Sequence, residues 1–190
     1  MLPRLLAGYA ATVILTAAIT TTAAHAQAAR SPVQQSGPLI MSAGPSAQVP
    51  DANFPVPAGH VFKVVWELNV HADSSQMNQQ IGTIARFYNL HARHGVPKQN
   101  LHAAAVVHGT AWMALLTDEA YQRRYGRPNP SKALVEELLA QGARFAVCGQ
   151  TAAFRGVAAD ELLPGVQLAI SAMTALNVFY AEGYRLQPWR

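Results

Sequence analysis

From residue 60 onward, short apolar runs rich in valine alternate with stretches whose apolar side chains recur every three or four positions. Strands separated by helical stretches pair in parallel, because each connection must carry the chain back to the same end of the sheet. A parallel sheet must then be covered by helices on both faces. The expected fold class is therefore α/β, with a mostly parallel sheet of about five strands. The strand readings are 61–68 (VFKVVWEL), 102–107, 144–147, 166–170 and 184–186. Met77, Ile81, Ile84, Ala85 and Tyr88 keep helical spacing, which predicts a helix over 78–94 closed by Gly95 and Pro97. A second helical stretch spans 110–125, broken near Thr117 and Asp118. Asn129 and Pro130 open a third that Gly142 ends. A short helix is read over 151–155, with Thr151 as a possible cap. The last helix is capped by Ser171 and stopped by Gly183. Strand order is not readable from this pattern.

The first 59 residues behave differently. Arg4 precedes a mostly apolar run over 5–19, and Ala24-His25-Ala26 is a small-x-small site followed by Gln27. This is the layout of a secretory signal peptide over 1–26, and the expected location is periplasmic or secreted. The apolar run is shorter than the roughly 20 residues a spanning helix needs, so no membrane span is expected after cleavage. Residues 27–59 hold six prolines and three glycines, which exclude helix and central strand. They read as a Pro-rich arm or linker, and the compact α/β domain as 60–190. Leu39, Ile40, Met41 and Phe54 could pin such an arm to a surface of a neighbouring subunit, or the arm could be a loose tether.

Composition narrows the function classes. A formal net charge of +4 on a chain with 13% charged residues is a mild bias, and with export it argues against a nucleic-acid partner. The single cysteine, Cys148, excludes an internal disulfide.

Ligands of open parallel sheets bind beyond the carboxyl ends of the strands, beside helix N-termini. Those ends carry Asn69 and His71, His108-Gly109-Thr110, Cys148-Gly149-Gln150-Thr151, and Ser171. Cys148 closes a buried strand and precedes a helix start, where free N–H groups and the helix dipole favour thiolate. Gly149 leaves the sulfur uncrowded, and Arg155 follows one turn later as a possible counter-charge. The bland reading is a small buried residue at a strand end. His108 is read either as a proton partner on the same edge or as a histidine bonded to its own loop. Asn69, Gly109, Gly149, Gln150, Thr151 and Arg155 complete the candidate binding set.

Other clusters read as structural. His91 and His94 have a spacing that can hold a metal, but cations complementing a helix C-terminus are the simpler account. Arg123, Arg124 and Arg127 form the one basic cluster, read as a solvated helix end. No metal site and no cofactor is expected, since no metal-ligand pattern, phosphate loop, dinucleotide fingerprint or nucleophile elbow is present.

The run VCGQTAAFRG at 147–156 resembles the cysteine segment of the DsrE/DsrF-like family. LLPGV at 162–166, SAMTAL at 171–176, VVHG at 106–109, NLH at 89–91 and PDA at 50–52 continue the likeness, which covers roughly 50–190 and is nearest the exported branch. Thr151 stands where serine is commoner. The resemblance implies a three-layer α/β/α fold and homo-oligomers, often trimers or hexamers. It also implies a cysteine that carries a persulfide between a protein sulfur donor and an acceptor, a place that falls to Cys148.

Overall fold

The computed structural model describes residues 33–188. The putting together of strands follows the parallel rule: β1 (Phe62–Leu68), β2 (Leu101–Val107), β3 (Arg144–Cys148), β4 (Gln167–Ala169) and β5 (Arg185–Leu186) form one five-stranded sheet in the order β4-β3-β2-β1-β5. All four pairings are parallel. The helices are α1 (Gln79–Arg93), α2 (Asp118–Tyr125), α3 (Lys132–Ala140), α4 (Gly149–Arg155) and α5 (Ala172–Ala181). The predicted signal peptide lies outside the described residues. Among those residues no helix is long and apolar enough to cross a membrane.

Local chemistry sets the helix starts. The Asn78 side chain accepts from the N–H groups of Gln80 and Ile81, the Thr117 hydroxyl from Ala120, and the Ser171 hydroxyl from Thr174. These side chains replace carbonyl partners that the first turn lacks. The stretch 110–125 breaks before Thr117, as its sequence suggests, with a 3₁₀ turn, Ala111–Leu115, ahead of the break and α2 after it. Asn129 Oδ1 accepts from the Ser131 N–H at 2.9 Å, and regular helix follows from Lys132. One local reading needs correction. The short helix begins at Gly149 with Cys148 as its N-cap residue, so Thr151 lies inside the first turn.

Alternation along the strands divides the core in two. Trp66, Leu68, Ala103, Ala105, Val107, Phe145 and Val147 belong to the main cluster with α1, α3 and the 3₁₀ turn. Val65, Ala104, Val106 and Ala146 face the other way, under Ala175 and Phe179 of α5. Helices thus cover both faces, unequally.

The proline-rich segment contributes to the main core. Ile40 is fully buried there. Asn89 of α1 accepts from the N–H groups of Leu39 and Ile40 at 3.1 and 2.8 Å. Its amide donates to the carbonyls of Ile40, Ala43 and Gly44. Arg93 donates to the carbonyls of Gln35 and Gly37, and Glu137 of α3 accepts from Met41 and Ser42. A segment that cannot build helix or ladder has its backbone groups satisfied by side chains instead. Residues 35–49 therefore dock on α1 and α3 of their own chain, while Phe54 farther along is exposed.

Candidate functional site at the carboxyl edge of the sheet

Cys148 is the last residue of β3, paired in register with Ala169 of β4. It shares its face with Ala146, so its side chain stands on the side covered by α5. The connection into α4 passes so close to β4 that a Cβ on residue 149 would sit 2.4 Å from the Ala169 carbonyl oxygen. Only glycine fits there. Gln150 closes the same seam, its amide donating to the Ile170 carbonyl at 3.3 Å.

Two helix starts converge on the sulfur. Cys148 accepts no short capping hydrogen bond. The Thr151 N–H and hydroxyl, the Ala172 N–H at the start of α5 and the Gln150 N–H favour its thiolate electrostatically. Burial pushes the thiol up, but these donors together outweigh it and hold the thiol below its ordinary value. Each donor interacts more strongly with a thiolate than with a thiol. The residue is only 6% exposed, so the sulfur is charge-stabilised but mostly covered. Around this edge lie three large apolar side chains with little cover: Phe154, Ile170 and Met173, exposed by 92%, 76% and 79%.

His108 follows β2 on the same face. The register pairs Val107 with Val147, placing positions 108 and 148 at the ends of neighbouring strands. Yet its Nε2 lies 3.0 Å from Glu67 Oε1, on β1 at the opposite side of β2. The structure brings His108 to Glu67, and His108 is not among the groups acting on the Cys148 sulfur.

The remaining candidates separate. Asn69 is held by its backbone: its N–H donates to Gln80 Oε1 and its carbonyl accepts from Thr110. Gly109 has φ +57° and a Cβ there would meet the Asn69 oxygen at 2.2 Å, so this glycine serves the turn. His71 is buried, its Nε2 shared between the carbonyls of Asp73 and Gln76. Arg155 ends α4, exposed, and is not among the groups acting on the sulfur. Arg123 and Arg124 both grip Glu161 at 2.8 Å, and Arg124 also donates to the Gly156 carbonyl. The basic cluster is thus a clasp on the loop after α4. His91 and His94 each place Nδ1 on a carbonyl one turn back, and His94 Nε2 accepts from Val49. Among the described residues no group of three or more His, Cys, Asp or Glu side chains is placed to hold a metal.

The model of the DsrE/DsrF-like family matches residues 64–187, from β1 to just past β5. The chain belongs to the DsrE/DsrF-like family. Among solved structures, a protein of unknown function from Methanobacterium thermoautotrophicum is similar at 21% identity, covering 66% of this chain and 97% of the other, with a TM-score of 0.50. That likeness supports the fold. No curated protein matches the chain. The docked segment at 35–49 precedes the span that the DsrE/DsrF-like model matches.

Two contributors escape a reading of the strand ends. The Ala172 N–H was discoverable in principle, since Ser171 marks a helix start at the same edge, but the pairing of β3 with β4 is what brings it to Cys148. Glu67 sits inside a run that reads as wholly buried. It is exposed near the carboxyl end of β1, where it pairs with His108.

Proposed function

We propose that this DsrE/DsrF-like protein handles sulfane sulfur outside the cytoplasm, with Cys148 as thiolate nucleophile and persulfide carrier. The observation that carries the reading is the position of Cys148, which ends β3 as the N-cap residue of α4 and lies in register with Ala169, just before the start of α5. The thiolate attacks the outer sulfur of a donor persulfide. A new S–S bond forms at Cys148, the donor's S–S bond breaks, and its electron pair and then a proton stay on the donor thiol. The same step in reverse delivers the outer sulfur to an acceptor thiolate. Gln150 and Gly149 hold the mouth of the site, and His108, tied to Glu67, sits one strand away as the nearest proton carrier read from the register. Residues 1–26 act as the export signal, and the working form is a homo-oligomer, trimer or hexamer. The exposed Phe154, Ile170 and Met173 suit contact with a protein donor, an acceptor or a second copy.

The low exposure of Cys148 favours one second reading: a non-catalytic oligomeric module that binds a small anion or a protein partner at this edge. Incubation with a low-molecular-weight persulfide, followed by intact mass, separates the two. Sulfur handling predicts the gain of one sulfur atom by the native protein and none by Cys148→Ser. Loading that survives Cys148→Ser, or no loading of the native chain, overturns the first reading.

A further inference from the structure

Far from Cys148 along the sheet, the helical layer stops short of the β5 edge. Phe62, Val64 and Trp66 of β1 are left facing α1 across a groove of about 640 Å³, closed at one end by Gln187 and Pro188. The volume lies within the range of small-molecule sites. Its walls are largely aromatic: Phe62, Trp66, Phe87 and His91 stack in contact, with Phe62 to His91 at 4.4 Å and Trp66 to Phe87 at 5.3 Å. Polar groups break the apolar surface, Thr83 and Gln187 among them. Arg86 is the only formally charged residue of the lining apart from the titratable His91, and it makes no ion pair among the described residues. His91 donates from Nδ1 to the Phe87 carbonyl, so in its neutral form Nε2 carries the lone pair; burial lowers its pKa and keeps it neutral. The Trp66 indole N–H is buried without an acceptor. Among the described residues no carboxylate lines the groove.

We infer that this groove binds a small aromatic monoanion, its ring against Phe62, Phe87 and Leu90 and its carboxylate or sulfonate on Arg86. Apolar, partly aromatic walls favour an apolar body, whose burial provides the driving force. A lone guanidinium with no acid beside it selects an anion and fixes its orientation.

Fluorescence titration of the full chain with anilinonaphthalene sulfonate tests this, with neutral phenylnaphthylamine as the uncharged counterpart. The expected result is saturable binding of one sulfonate per chain. Exposed Arg86→Gln weakens it about tenfold, the loss of one charge-assisted contact, and barely changes the neutral probe. Leu90→Trp, which fills the groove, removes both, and unchanged circular dichroism shows that each variant is folded. Sulfonate binding unaffected by Arg86→Gln and Leu90→Trp overturns the inference, since the probe then sits elsewhere. No saturation up to millimolar probe also overturns it.

Discussion

The two faces of the sheet are cut from the same strands by alternation, yet they are built to different depths. One face carries α1, α3, the 3₁₀ turn and the docked segment at 35–49, and buries thirty residues in one cluster. The other carries α5 alone, over Val65, Ala104, Val106 and Ala146, and leaves Lys63 and Glu67 of β1 exposed. Cys148 stands on the thin face, at the edge where α4 and α5 begin. The difference teaches that the bulk of the core and the Cys148 edge lie on opposite faces of the sheet. The thick face supplies the cooperative core, and the thin face can present a charge-stabilised sulfur without disturbing it.

The largest expected effect is on the thick face. Asn89→Ala deletes five hydrogen bonds to the docked segment and leaves buried backbone groups unpaired. It should lower unfolding stability by about 4 kcal/mol, read from the urea midpoint. If the midpoint does not move, the segment is a tether and the thick face is thinner than described. Ile40→Ala should follow at about 3 kcal/mol, against about 1 kcal/mol for half-buried Leu176→Ala of α5. Equal losses would erase the contrast between the faces.

Much of this was legible beforehand, for identifiable reasons. Five strands, five helices and the carboxyl edge as the site follow from periodicity and from the capping residues Asn78 and Ser171. The strand order was not, because nothing local in β4 or β5 specifies a neighbour. The fate of residues 35–49 was half legible. Their prolines exclude regular structure, but the partner that satisfies their backbone, Asn89, is a polar residue inside an amphipathic helix pattern. Cys148 and Thr151 stand out in the sequence as a strand end and the turn after it. The role of Ala172 does not, since an alanine N–H carries no side-chain signature.

A smaller effect concerns the clasp behind α4. The Arg123 hydrogen bond, helped against burial by Arg124 and the Ala158 N–H, holds the Glu161 carboxyl at about 2. Its folded value lies below the unfolded one, so the stabilisation is fully present above about pH 4.5 and fades as pH falls toward 2. Glu161→Gln should cost about 1 kcal/mol at neutral pH, allowing for solvent screening. The gap to the native protein should close in thermal melts near pH 2. A gap that persists there assigns the loss to packing and not to charge. Smaller still, Thr151→Ala removes one donor from the Cys148 sulfur and should slow its alkylation at neutral pH about threefold, with the urea midpoint almost unchanged.

The central claim is that Cys148 is a charge-stabilised thiol at the thin edge and not an inert core residue. The rate of its alkylation by iodoacetamide in the native full chain, followed across pH by intact mass, tests it most directly. The account predicts labelling without denaturant, with a midpoint below that of the same thiol in the unfolded chain. A cysteine that labels only after unfolding, or whose native midpoint lies at or above the unfolded one, contradicts it.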